Sequence, residues 1–401
     1  MNYHISTENK FINYHINDVI ELNEIHNNKF IILEEEENAK NINLKDQCIF
    51  IGADIINIKL YITEHIKKKD IIIVHWYDFK IAEILYNLPN KIVAVLHGGE
   101  FYQFPKWYHY KWVYGKQTKK IVRKLNAPKI EINSKLLTLS KNIYRRILFN
   151  IKIPKQYDLY NHRLKQIQRL NYILIHNSYF EIEAELIRKL YPNTKFNTLY
   201  MSYGANSFNT CKKSPQKFQD KISINSNLNI LVGNSTNTSN NHLEVFSLIK
   251  KIKNLNIHCF LSYGARNTYK NLIINKGKKI FCKRFFPLLK FLSMDEYTIY
   301  INKMDIIVMN HYRQQAKAAI FTGLSLGKPI FLSKKNPLFQ IFTDIGINIY
   351  NIDDINKIDL NNIIKIEANS RKKNINILEK IISKKSRQQH LKNTLNTLKE
   401  L

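Results

Sequence analysis

The sequence predicts an α/β fold made of two doubly wound domains, each with a parallel sheet. Three observations point there. Short runs rich in Ile and Val recur without polar alternation, as strands buried on both faces do. Helix-like segments separate them, and strand followed by helix, repeated, builds a parallel sheet. A polar stretch, Lys212–Asn227, divides a chain whose 401 residues suit two domains.

In the first half the strand candidates are Cys48–Gly52, Asp70–Trp76, Lys91–His97, Tyr172–His176 and Asn197–Met201. Helix candidates are Phe79–Leu88 and Phe180–Leu190, and the acidic run Glu34–Glu37 reads as a loop. The second half gives strands at Asn229–Val232, Ile257–Tyr263, Lys279–Cys282, Asp305–Asn310, Pro329–Leu332 and Ile347–Tyr350. Its helix candidates are Asn240–Lys253, Tyr269–Asn275, Met294–Asn302, Gln314–Leu326 and Pro337–Ile345. In the first of these, Leu243, Phe246, Ile249 and Ile252 share one face. From Ala368 onward a long, lysine-rich helical pattern carries Ile377, Leu378, Ile381 and Ile382. The expected division is residues 1–212 as a first domain, 213–227 as linker and 228–401 as a second domain with a helical tail.

Composition narrows the classes. An apolar fraction of 44% excludes a mainly disordered chain, and 11 Gly with 9 Pro excludes a collagen-like one. Cys48, Cys211, Cys259 and Cys282 form no CxxC pair, so they read as buried free thiols in a reducing compartment. The N-terminus lacks a basic segment followed by an apolar run, and no stretch reaches the roughly 18 apolar residues that span a bilayer. The expectation is a cytoplasmic protein, soluble or held on a membrane from the cytoplasmic side.

With 62 Lys plus Arg against 32 Asp plus Glu, the formal net charge is +30. The Ile, Asn and Lys bias of AT-rich coding accounts for part of that total, but not for clustering. Between Phe101 and Ile130 there are eight Lys or Arg and no acid, including Lys111 and Lys116. Trp107, Trp112 and six Phe or Tyr share the stretch. Amphipathic rings mixed with lysines suit an anionic membrane interface. They also suit stacking on single strands, or a helix with its rings turned inward. No nucleic-acid motif occurs elsewhere, so the membrane reading is favoured over RNA.

Doubly wound sheets bind ligands beyond the carboxyl ends of their strands, which directs attention to the residues just after each strand. One strand runs through Leu231 and Val232 into Gly233-Asn234-Ser235, then Ser239, Asn240 and His242 open a helix. A glycine for close backbone approach, hydroxyls and a helix N-terminus make a phosphate cradle, or an ordinary capped turn. At the next strand end Tyr263 can stack on a base and Arg266 can pair with phosphate. A third ends at Arg313-Gln314-Gln315, where the guanidinium suits a diphosphate. In the first half, His75 and His97-Gly98-Gly99-Glu100 offer imidazole and carboxylate for proton transfer, or structural groups. No D-x-D triplet, G-x-S-x-G elbow or H-E-x-x-H is present.

Taken in order, these residues resemble glycosyltransferase family 56, the TDP-N-acetylfucosamine:lipid II N-acetylfucosaminyltransferases of enterobacterial common antigen synthesis. The resemblance rests on Ile230–Ser235 with Ser239, Asn240 and His242, then Tyr263-Gly264, Asp295 and Tyr297, and Arg313-Gln314-Gln315. It closes with Gly327-Lys328-Pro329 and Asn336-Pro337. In the first half it is looser, at His75 and at Gly98–Tyr102, where Glu100 stands in place of the family's Asp. Ala316, Lys317 and Ala318 stand where the family carries glycines.

The resemblance implies two Rossmann-like domains in the GT-B arrangement, acting without a metal or other cofactor. A dTDP-linked 6-deoxy amino sugar would be the donor, held by Gly233, Asn234, Ser235, Tyr263, Arg266, Tyr297, Arg313, Gln314 and Gln315. Arg313 would stabilise the leaving diphosphate, and Glu100 or His97 would be the acceptor-side base. A polyprenyl-diphosphate-linked oligosaccharide acceptor would meet the first domain near His75, at the inner face of the bacterial inner membrane. Trp107, Lys111, Trp112 and Lys116 would face that membrane. Alternatives are a related transferase using a UDP- or GDP-linked sugar, and a non-enzymatic basic protein that binds polyanions.

Overall fold

The computed structural model describes residues 1–7, 12–102, 113–125, 159–201, 227–264 and 267–400. They form two compact units. The first comprises Met1–Phe104, Asp158–Ala205 and Glu379–Leu401; the second comprises Pro105–Tyr157 and Asn206–Leu378.

In the first unit seven parallel strands form one sheet: β1 Asn2–Ser6, β2 Asn28–Leu33, β3 Cys48–Ile51, β4 Ile71–Val74, β5 Lys91–Val95, β6 Tyr172–Ile175 and β7 Asn197–Tyr200. Their order is β3-β2-β1-β4-β5-β6-β7, so the winding reverses between β1 and β4. The in-register pairs Asn2 to Ile71 and Ile5 to Val74 define that junction. Ile31, Ile32, Ile72, Ile73, Val93 and Leu174 are buried along it, as a sheet covered on both faces requires.

The second sheet contains β8 Leu228–Val232, β9 Leu255–Phe260, β10 Phe285–Leu288, β11 Ile306–Met309, β12 Ile330–Leu332 and β13 Tyr350–Asn351. All six are parallel in the order β10-β9-β8-β11-β12-β13, with the reversal between β8 and β11. Its core runs from Ile230, Val232, Ile257 and Val308 to Phe246 and Phe281 on the covering helices. Helix starts follow local sequence. Ser293 Oγ accepts from Glu296 N–H while Glu296 returns a bond to Ser293 N–H, and Asn336 caps a helix that begins at Pro337.

Several expectations change. The candidate strand Lys279–Cys282 is the end of a helix, Asn267–Phe281, whose Tyr269, Ile273, Gly277 and Phe281 are buried at four-residue steps. The strand in that region is β10, at the sheet edge, where Pro287 is tolerated. β1 and β2 lie in a stretch where no strand was expected. The C-terminal helix Lys384–Lys399 belongs with the first unit, not the second. Its Leu391, Leu395 and Leu398 pack with Ile12, Ile16, Val19 and Phe30, and Arg387 holds Asp18 through two bonds of 2.9 and 3.1 Å. Residues 113–125 group with the second unit rather than the first. The linker read at 213–227 lies, except for Asn227, outside the described residues. Among the described cysteines Cys259 is buried, Cys48 half-buried and Cys282 exposed, so burial holds for only part of the set. No described helix is long and apolar enough to cross a membrane.

Candidate functional site

The turn after β8 begins at Gly233, whose φ of +72° and surroundings both require glycine. A Cβ there would stand 2.7 Å from Asn240 Oδ1 and 2.8 Å from His242 Nε2. Asn240, fully buried, organises the rest of the turn. Its Oδ1 accepts from Asn234 N–H at 2.8 Å, and its Nδ2 donates to Ser235 Oγ and Asn237 O. That fixes the amide, so His311 Nε2, 2.9 Å from Oδ1, carries the proton. Burial, then nearby Arg313 and His242, push the His311 pKa well below its usual range, so the ring is neutral.

Two further strand ends join this turn. Tyr263 O accepts from Thr236 N–H at 2.8 Å and from Thr236 Oγ1 at 2.6 Å. Gly264, at φ +117°, lets the two backbones approach, since a Cβ would fall 2.8 Å from Asn237 N. Asn234 Nδ2 reaches Tyr263 OH at 3.4 Å, and the Tyr263 side chain is 50% exposed at the rim. From the third strand end, Gln315 Nε2 donates to Asn234 Oδ1 at 3.2 Å and Ser239 Oγ donates to Gln315 Oε1 at 2.6 Å. Tyr297 stacks on Phe260, with ring centroids 5.0 Å apart, close enough to Tyr263 that burial and then that neighbour raise its pKa.

Gly233, Asn234, Ser235, Tyr263, Tyr297 and Gln315 are therefore grouped at the carboxyl ends of β8 and β9. Arg313 and Gln314 lie beside them, after β11. Arg313 is 8% exposed and donates Nη1–H to Gln314 O at 3.0 Å. The group sits at the β8/β11 reversal, where doubly wound sheets bind ligands. Beyond β11 and β12 lies a cavity of about 410 Å³ lined by Asn310, Tyr312, Ser333, Lys334 and Lys335 among others. Lys335 Nζ stands 4.3 Å over the Tyr312 ring.

Sequence reasoning missed Ser333-Lys334-Lys335, although hydroxyl and cations directly after β12 were a legible signal. It named Asn240 only as a helix opener. Asn241, at φ +50°, was given no role of its own. Its Nδ2 donates to Val113 O, Ser239 O and Asn310 O, and its Oδ1 accepts from Gly115 N–H at 2.8 Å. Glu244 then accepts from Gln117 N–H, Thr118 N–H and Thr118 Oγ1, fastening the start of the helix Lys116–Leu125.

In the first unit Glu100 is 4% exposed and turns back on its own loop, accepting from His97 N–H at 2.7 Å. Burial pushes its pKa up to about 7, against backbone hydrogen bonds from its own turn and the Arg163 charge. Such a carboxyl exchanges its proton near neutrality. The His97 ring is half-buried against Trp76, with centroids 5.9 Å apart. His75, expected beside the acceptor, is 1% exposed and faces His4 instead. Lys116 is exposed. Trp107, Lys111, Trp112 and Arg266 lie outside the described residues.

The fold is shared with solved structures. A glycosyltransferase from Rickettsia africae ESF-5 superposes with a TM-score of 0.61 at 13% identity, covering 100% of this chain and 98% of that one. Sucrose-phosphate synthase from Thermosynechococcus elongatus gives 0.60 at 9% identity, with 99% of each chain covered. HepE from Anabaena, solved with UDP and glucose, gives 0.61 at 10% identity, covering 99% and 100%. These likenesses establish the GT-B fold. A sequence model described as 4-alpha-L-fucosyltransferase, glycosyl transferase group 56, matches residues 184–392, just over half of the chain and most of the site built above. The chain thus belongs to glycosyltransferase family 56.

Proposed function

We propose that this glycosyltransferase moves a 6-deoxy amino sugar, 4-acetamido-4,6-dideoxygalactose-like, from a dTDP donor to a polyprenyl-diphosphate-linked oligosaccharide in cell-surface glycan synthesis. The observation that carries this reading is the convergence of three strand ends at the β8/β11 reversal, joined through Asn234, Asn240, His311 and Gln315. Backbone N–H groups and neutral amides there would receive the diphosphate, and Tyr263 at the rim would stack on the base.

In the reaction an acceptor hydroxyl attacks the anomeric carbon and forms the new glycosidic bond. The bond from that carbon to the diphosphate breaks, and its electron pair leaves on the phosphate oxygen. Arg313 would stabilise that charge. The hydroxyl proton would pass to Glu100, whose pKa near 7 suits a base at neutral pH, with His97 as the second candidate. Lys116, Lys120, Arg123 and Lys124, on the helix Lys116–Leu125, would rest on the anionic cytoplasmic face of the membrane, where the lipid acceptor is found.

Calorimetric titration with dTDP, UDP, GDP and CMP at physiological ionic strength tests the donor. Saturable binding with a preference for dTDP is expected. A preference for UDP or GDP would keep the transferase and replace the donor. Binding of none, together with salt-sensitive binding to any polyanion, would overturn the reading.

A further inference from the structure

Three histidines far apart in sequence meet inside the first unit. His4 lies on β1, His75 directly follows β4, and His15 lies on the helix Ile12–Glu21. Each is 1% exposed. Their ring centroids form a nearly equilateral triangle, with sides of 4.9, 5.2 and 5.1 Å. One ring nitrogen from each lies within 4.8 Å of the other two. His4 Nδ1 is 2.9 Å from His75 Nε2 and 3.3 Å from His15 Nε2.

That triangle has the size of a three-imidazole metal centre. A tetrahedral Zn²⁺ about 2.0–2.1 Å from each nitrogen sets the nitrogens about 3.3 Å apart and the ring centroids about 5.2 Å apart. The tautomer of His4 fits as well. Asn28 Nδ2 donates to Glu24 O at 2.7 Å, which turns Asn28 Oδ1 toward His4 Nε2 at 2.9 Å. Asn2 Nδ2 supports the same oxygen at 3.1 Å. His4 Nε2 therefore carries the proton, and the Nδ1 lone pair points into the cluster. An outer partner that fixes the tautomer of a ligand is a regular part of metal sites. Phe30, stacked on His4 at 4.6 Å, closes the apolar wall.

We propose that His4, His15 and His75 bind one Zn²⁺-class divalent ion that fastens β1 and β4 to the helix Ile12–Glu21. The site belongs to the sheet interior and is independent of the donor site in the second unit.

The test uses tag-free, full-length protein. Elemental analysis of freshly purified protein, and titration of chelator-treated protein with Zn²⁺, should find one tight equivalent per chain and a raised melting temperature. Co²⁺ should produce the intense visible bands of a tetrahedral centre. His15→Gln, checked for folding by circular dichroism, should lose the bands and the melting shift. Should that variant not fold, Asn28→Ala, which leaves all three ligands in place, should bind about 10–100-fold more weakly. Absence of a tight equivalent in wild type would overturn the proposal. So would Co²⁺ bands retained in full by the folded His15→Gln, or by Asn28→Ala at unchanged affinity.

Discussion

His311 Nε2 donates to Asn240 Oδ1 over 2.9 Å, tying the turn after β11 to the turn after β8. Asn240 spends its whole amide on this junction, since it also serves Asn234 N–H, Ser235 Oγ and Asn237 O. Asn240→Ala removes every one of these partners at a buried position. The expected loss of stability is about 2–3 kcal/mol, because buried donors and acceptors left unpaired cost about 1–3 kcal/mol each. Nucleoside diphosphate affinity should fall at the same time. A thermal melt and a nucleotide titration on one preparation read both effects, and unchanged values would mean that the hub does not organise the site.

Backbone conformation supplies a paired prediction with opposite signs. Gly233→Ala places a methyl in the left-handed region against Asn240 and His242. It should destabilise by more than the roughly 1–2 kcal/mol of the conformation alone. Ala316 already occupies that region at φ +64°, at the start of the helix Lys317–Ser325. Ala316→Gly relieves its Cβ and should stabilise by about 0.5–1 kcal/mol, after the entropy cost of glycine in the unfolded chain. Melting temperatures that move in the same direction for both variants would refute this account.

Glu100 gives the first unit a pH signature. Its folded pKa of about 7 exceeds the ordinary 4.5, so between these values the folded protein holds a proton that the unfolded chain has released. The stability from that proton is full in acid and is lost as pH rises through 7, by roughly 3 kcal/mol in all. Glu100→Gln removes the dependence. The melting temperature of wild type relative to Glu100→Gln should therefore fall across this window. A flat difference would show an unshifted carboxyl. The proposed role as acceptor-side base further predicts that Glu100→Gln lowers turnover by about 10²–10⁴-fold.

The sequence made some of this legible for identifiable reasons. β11 and β12 are uninterrupted Ile/Val/Leu/Met/Phe runs and β8 ends on Ile230-Leu231-Val232, while Ser293 opens the helix after β10 and Asn336-Pro337 the helix after β12. β1 was missed because Asn2, His4 and Ser6 alternate with Tyr3 and Ile5, as on a half-exposed strand. All five are buried, and Asn2 and His4 are satisfied by the tertiary partner Asn28, which no local pattern reveals. Gly233, Asn234 and Ser235 were legible because a glycine after a strand has a local meaning. Asn240, Asn241 and His311 act through hydrogen bonds to other turns, which only the folded chain defines. The tail was read as helix correctly, but its destination depends on which unit offers an apolar face to Leu391, Leu395 and Leu398.

Arg387 offers a test of that destination. Its bidentate pair with Asp18 is largely buried, with side chains 12% and 5% exposed. Arg387→Met leaves the Asp18 carboxylate buried without its cation, an expected cost of about 3–5 kcal/mol. The double variant Arg387→Met with Asp18→Asn should recover most of it. Chemical denaturation of both proteins checks the coupling. If the double variant is no more stable than Arg387→Met, the pair does not hold the C-terminal helix in place.

The catalytic role proposed for Arg313 makes a kinetic prediction. Loss of a guanidinium that only anchors the ground-state donor raises KM and leaves kcat alone, whereas loss of one that meets charge developing on the leaving diphosphate lowers kcat. Arg313 is buried, and its Nη1 is directed to Gln314 O, so its head is held in place before the donor arrives. Preorganised donors of this kind contribute on the order of 10²–10³ in kcat. Arg313→Ala should therefore turn over at least about 10²-fold more slowly at saturating donor. Arg313→Lys should recover only part of that rate, because an ammonium cannot reproduce the bidentate fork. Near-wild-type turnover of Arg313→Ala under saturation would remove Arg313 from the chemical step and leave it a positioning residue for the turn after β11.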